Sequence, residues 1–223
     1  MVVLFVVCCL CNKSPFLSFF SFLQVAVIGY SAGGPFALGC AHSIPDHVSS
    51  VILVSSASPP ETPNATRGMS MLNKFAYWVS KTWYWLLKTA VKAEADEIQK
   101  KPIEKLQSVL ATGPADSQVY MTNPAIERAF VTSALEMYSR PHGYVAESMD
   151  YWLFCHPWGF DLAALPKDIK YHVWYGMEDQ SVVPAMGEYL GSLLPGSKVH
   201  ALEEKGHLLF FEIWRDILTA ALA

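Results

Sequence analysis

"VAVIGYSAGG", residues 25–34, decides how the rest of the chain is read. Val25 to Ile28 is a short, β-branched apolar run ending at Gly29, the pattern of a strand buried on both faces. Gly29-Tyr30-Ser31-Ala32-Gly33 then fits G-x-S-x-G. Chance alone gives such a match in roughly one chain in fifteen of this length, so the setting has to carry the assignment. "AGGPFALGCAHSI" follows as a helix start, with Pro35 tolerated in the first turn. Strand, sharp turn and helix together make a nucleophile elbow. Its glycines keep side chains away from the neighbouring strand and helix, and the turn lifts the Ser31 hydroxyl out of the sheet. The helix start brings the Ala32 N–H to where an oxyanion would develop.

A serine hydroxyl needs a base, and the base needs a carboxylate to orient it. Three further strands follow the first: "SSVILVSSAS", again a buried run, "YHVWYGMED", and "KVHALEEKGH" with its loop. Between and after them lie the helical runs "AMGEYLGSLLPG" and "LLFFEIWRDILTAALA". This alternation predicts an α/β fold with a parallel sheet and its chemistry at the carboxyl ends of the strands. Asp179 sits just after the third strand and His207 just after the fourth, so both belong on the same edge as Ser31. Their chain order is Ser, Asp, His. Glu178 is the rival acid, one position away, and Asp179 is preferred on loop spacing. Glu203 and Glu204 read as solvated loop residues. His42, His47, His142, His156, His172 and His200 read as surface or packing residues.

The segments "GYSAGG", "WYGMEDQSVVP" and "EKGHLLFF" resemble the nucleophile, acid and histidine segments of the α/β-hydrolase fold-1 family. "PWGFDL" and "VPAMGEYLGSLLPGSKV" resemble a subgroup of generic serine hydrolases within it. The resemblance runs from Val25 to the end of the chain. It implies a Ser31, Asp179, His207 triad with Ala32 in the oxyanion hole, needs no cofactor, and leaves the substrate open. A serine at the elbow argues against dehalogenase or epoxide-hydrolase chemistry, for which the resemblance implies an aspartate. The family places four strands, a helix and an oxyanion loop ahead of the elbow, and none of these is legible in residues 1–24. The expectation is therefore a fold lacking its first strands and its second oxyanion donor, with the elbow strand left as an uncovered edge. The function expected is hydrolysis of an ester or related acyl bond of a small molecule. The alternative is a truncated, non-catalytic hydrolase-like protein, either an interaction module or a misannotated gene product.

Between Pro59 and about Pro166 strand patterns give way to helical periodicity, in segments near 67–94, 96–111, 124–140 and 143–155. The division expected is a core of residues 25–58 and 166–223, with a helical cap, residues 59–165, inserted after the second remaining strand. In the first cap helix Lys74, Lys81, Lys88 and Lys92 fall on one stripe, with Leu72, Phe75, Val79, Trp83 and Leu86 opposite. Trp78 and Trp85 lie beside the lysines. That pattern permits a membrane-surface role, but a solvated cap helix is the reading preferred, since one basic stripe binds membranes weakly.

The formal net charge of −4 leaves no basic footprint for nucleic acid. With 52% apolar and 16% charged residues, the chain is composed as a packed globule. Of five cysteines, Cys8, Cys9 and Cys11 crowd the start, while Cys40 and Cys155 stand alone. No partner sits at metal-ligand spacing, so all five read as unpaired thiols and no metal is expected.

Residues 1–24, "MVVLFVVCCLCNKSPFLSFFSFLQ", lack the flanks of a signal peptide and the length of a membrane span. Ser14 to Leu23 can be encoded by pyrimidines alone, and Gln24 can be encoded by CAG. A pyrimidine tract ending in CAG is the form of an intron end, so the segment reads as non-native sequence, with a hydrophobic leader as the other reading. A cytoplasmic location is favoured. Asn64-Ala-Thr66 is a glycosylation acceptor only in a secreted chain.

Overall fold

The computed structural model describes residues 3–5, 24–111 and 113–222. Five strands form one parallel sheet in the order of the chain: β1 (Val3–Phe5), β2 (Val25–Tyr30), β3 (Val48–Val54), β4 (Lys170–Gly176) and β5 (Lys198–Leu202). The apolar runs read from the sequence as strands account for β2 to β5. β1 corrects the expectation of an uncovered elbow strand. Val3, Leu4 and Phe5 pair in parallel with Ala26, Val27 and Ile28. Val3 and Phe5 are residue types that suit a ladder beside β2, although the apolar continuity of the segment reads equally well as a leader. The helical insertion follows β3, the second of the strands read from the sequence.

Alternation along the strands explains why helices cover both faces. Val27, Val51, Leu53 and Val173 point to one side, where they pack on Leu38 of α1 (Gly34–Ser43) and Leu190 of α8 (Pro184–Leu193). Ala26, Ile28, Ile52 and Val54 point to the other, against Ile217 of α9 (Trp214–Leu222). Burying a leucine such as Leu38 contributes about 1.5–3 kcal/mol, which fixes α1, and hence the turn before it, against the sheet.

Six helices lie between β3 and β4: α2 (Met71–Thr82), α3 (Tyr84–Lys100), α4 (Pro102–Leu110), α5 (Pro114–Thr122), α6 (Pro124–Ser139) and α7 (Gly143–Phe154). Two departures from the sequence reading matter. The expected single helix over 67–94 is broken at Trp83, whose φ of −136° and ψ of 88° leave the helical region. Trp83 closes α2 by donating its N–H to the Val79 carbonyl, and Tyr84 starts afresh. Leu72, Phe75 and Trp83, grouped in the sequence opposite the lysine stripe, are exposed. The second departure is α5, a helix not expected at all. "PADSQVYMT" has no apolar stripe, and its sequence signal is only the opening Pro114.

Candidate active site

β2 ends at Tyr30, and the chain turns at Ser31 through a single 3-10 turn into α1. Ser31 adopts φ 54°, in the left-handed region that costs a residue with a Cβ about 1–2 kcal/mol. The strain is held in place by its surroundings. The Ser31 carbonyl accepts the Ala57 N–H at 3.0 Å, tying the turn to the loop after β3. A Cβ on Gly29 would lie 2.7 Å from the Gly34 Cα and 2.9 Å from the Ala37 Cβ. Any side chain there would push α1 off the strand and move the serine.

The three side chains picked from the sequence meet at one edge of the sheet. Ser31 Oγ lies 2.9 Å from His207 Nε2, and His207 Nδ1 lies 2.8 Å from Asp179 Oδ2. Asp179 is buried, and its other oxygen, Oδ1, accepts the N–H groups of Ser181 and Val182, each at 2.8 Å. The carboxylate is thereby aimed: one oxygen at the backbone, the other at the imidazole. Glu178 is exposed, and its N–H donates to the Lys205 carbonyl. The loops after β4 and β5 cross closely here, since a Cβ on Gly176 would stand 2.2 Å from the Lys205 carbonyl oxygen. That crossing brings residues 179 and 207 within hydrogen-bond reach.

The electrostatics of His207 follow from the same contacts. Burial pushes its imidazolium pKa down, but the Asp179 charge and hydrogen bond, with the Asp116 charge, outweigh burial. The net result lies above the ordinary 6.5. Tyr30, the second residue of the elbow motif, supports the ring from behind. Its hydroxyl donates to the His207 carbonyl at 3.1 Å, and the two rings are 5.2 Å apart. The packing role of Tyr30 had no signal in the sequence.

Asp116 of α5 was missed as well. It is buried, and its Oδ1 accepts the Leu208 N–H at 2.7 Å, beside His207. Its Oδ2 is buried without a hydrogen-bond partner among the described residues. Burial raises its pKa, against the lowering effect of the Leu208 and His207 N–H groups. Gly206 permits the approach, because a Cβ there would sit 2.4 Å from Asp116 Oδ1. Around this contact Leu208 packs on Tyr120 and Ile126, so the insertion grips the histidine loop directly. Asp116→Ala leaves the Leu208 N–H buried and unpaired, and is expected to lower stability by about 1–3 kcal/mol. Asp116→Asn keeps an acceptor and should lose less. Urea unfolding of the two variants checks the order, and equal midpoints would show that the contact contributes nothing.

A cavity of about 250 Å³ opens over Ser31 and His207. Ala32 lines it beside the serine, and Tyr77, Leu110, Phe154 and Met186 supply much of its apolar wall. Cys155 also lines it, with its thiol pKa pushed up to about 12 by burial, so it stays protonated and is no rival nucleophile. Cys40 is likewise buried and free, while Cys8, Cys9 and Cys11 lie outside the described residues. Among the described residues no group of three His, Cys, Asp or Glu side chains could hold a metal ion.

Comparison with known proteins places the fold. A family profile described as alpha/beta hydrolase fold matches residues 20–212. The structure resembles an esterase from Exiguobacterium antarcticum, with a TM-score of 0.61 and 18% identity over 92% of this chain and 68% of that one. A thermophilic esterase from Thermogutta terrifontis gives a TM-score of 0.60 and 17% identity, over 92% of this chain and 66% of that one. A meta-cleavage product hydrolase from Pseudomonas fluorescens gives 0.57 and 16%, over 92% and 66%. At these identities the likeness is one of fold. No curated protein matches the chain.

Proposed function

The chain belongs to the alpha/beta hydrolase fold family, and on that footing we propose that it is a serine hydrolase acting on an ester or related acyl bond. One observation carries the reading: the unbroken hydrogen-bonded path from Ser31 through His207 to buried Asp179, lying under an apolar cavity. Few structural roles call for a strained serine, a histidine and a carboxylate in that order.

In the reaction Ser31 Oγ attacks the substrate carbonyl carbon while its proton passes to His207 Nε2. Asp179 holds the proton on Nδ1 and offsets the charge of the imidazolium. The oxyanion that forms faces the Ala32 N–H at the start of the turn. Collapse breaks the bond to the leaving alcohol, which takes the proton from Nε2 and leaves Ser31 acylated. Water then attacks the acyl-enzyme with His207 as base, the Ser31–acyl bond breaks, and the carboxylic acid departs. A cavity of 250 Å³ is smaller than the roughly 300–1,000 Å³ of drug-sized ligand sites, which favours a compact acyl group.

A fluorophosphonate probe tests the proposal without knowledge of the substrate. Phosphonylation of Ser31 is expected, with fluoride leaving and the adduct located by peptide mass. A folded sample in which Ser31 stays unmodified would support the non-catalytic, hydrolase-like alternative.

A further inference from the structure

Six of the fourteen large apolar side chains exposed among the described residues fall within residues 71–85. They are Met71, Leu72, Phe75, Trp78, Trp83 and Trp85, with Met71 80% and Trp85 68% exposed. Phe75 and Trp78 have ring centroids 6.1 Å apart, and Trp78 meets Trp83 edge-on at 5.2 Å. The break at Trp83 therefore does not divide the patch. It turns α3 away while leaving an aromatic strip across the corner.

The charge around this strip has one sign. From Thr62 to Ala93 the chain carries Arg67, Lys74, Lys81, Lys88 and Lys92 and no acidic residue, although its net charge is −4. Lys74 lies one helical turn from both Met71 and Trp78, Lys81 one turn from Trp78, and Lys88 one turn from Trp85. Lys92 is engaged with Asp96 at 2.8 Å, and the Lys81 ammonium donates to the Pro60 carbonyl at 2.8 Å. Neither Lys74 nor Lys88 appears in an ion pair among the described residues.

We infer that the corner between α2 and α3 docks on the surface of an anionic lipid bilayer. Tryptophan and phenylalanine exposed along this corner suit the headgroup boundary, where an amphipathic ring is both buried and wet. Lysines beside them suit a plane of negative headgroups. A second copy of this chain would bring the same positive patch against itself. A protein partner would need pockets into which the rings insert, whereas a bilayer takes them without one. Among the described residues no helix is long and apolar enough to cross a membrane. The opposite side of α2 contributes Asn73, Tyr77 and Ser80 to the cavity wall. Docking would thus set the bilayer against the outside of the wall that encloses Ser31.

Flotation of the full chain with phosphatidylcholine vesicles, with and without phosphatidylserine, tests the inference. Binding is expected to the anionic vesicles, with a blue shift of tryptophan emission, and much weaker binding to the neutral ones. Lys74→Gln with Lys88→Gln should weaken binding about twenty-five-fold, at roughly fivefold per lysine. Trp78→Ser with Trp83→Ser should reduce it at least as far. No binding by folded wild-type chain, or binding indifferent to both pairs of substitutions, overturns the inference. So does a wild-type dimer that Trp78→Ser with Trp83→Ser converts to monomer, which would assign the patch to self-association. The readout is lipid binding, so it stands or falls separately from phosphonylation of Ser31.

Discussion

Replacing Ser31 with alanine is expected to abolish ester cleavage, lowering kcat by about a million-fold with little change in fold. The loss follows from chemistry: among the described residues no other hydroxyl is hydrogen-bonded to His207 Nε2, and water lacks the fixed geometry of the elbow. Folding should survive because alanine tolerates the φ of 54° no worse than serine does, and gives up one partly exposed hydrogen bond. Ser31→Gly separates strain from catalysis. Glycine adopts that φ freely, so the variant should be equally inactive yet more stable than Ser31→Ala, by about 1 kcal/mol. Hydrolysis of p-nitrophenyl acetate and urea unfolding, run on both variants, provide the measurements. Ester cleavage undiminished in Ser31→Ala would remove the serine from the mechanism.

The parts of the molecule legible in the sequence are those whose physics is local. β2 to β4 are runs of apolar residues, and burial on both faces writes such strands without alternation, whereas β5 is a short strand with Val199 exposed. The elbow is legible because Gly29, Ser31 and Gly33 act within five residues of one another. Asp179 and His207 are legible because each follows directly on a strand end, so chain position converts into sheet-edge position. What escaped depends on partners far along the chain. Asp116 meets the loop of His207 across 92 residues, and nothing in the nine residues of α5 announces that contact. The break at Trp83 carries neither proline nor glycine, so no residue type in the sequence marks it. β1 escaped for a different reason: an unbroken apolar run fits a leader and a strand equally, and only the ladder to β2 distinguishes them.

Asp179→Asn is the second substitution with a very large expected effect, and geometry dictates its sign. Asp179 Oδ1 is fixed by the N–H groups of Ser181 and Val182, so in the variant the amide oxygen must stay there. The amide nitrogen then faces His207 Nδ1 and donates to it. The imidazole is forced to carry its proton on Nε2, where it can no longer accept one from Ser31, and kcat should fall on the order of ten-thousand-fold. The pH dependence moves too. In the native protein His207 titrates above 6.5, because the Asp179 charge and bond, with the Asp116 charge, outweigh burial. The base must be neutral, so activity rises with pH through that raised value. The same shift stabilises the fold fully below 6.5 and fades as pH rises through the folded-state value, so the most active form is not the most stabilised one. Removing the charge of Asp179 leaves burial less opposed. The limb of residual activity should therefore move to lower pH, and acid should no longer favour the fold through this group. A kcat/KM profile against pH for both proteins reads the shift directly. If the variant kept native activity, or lost activity with an unmoved limb, Asp179 would not be the group that sets the charge of His207.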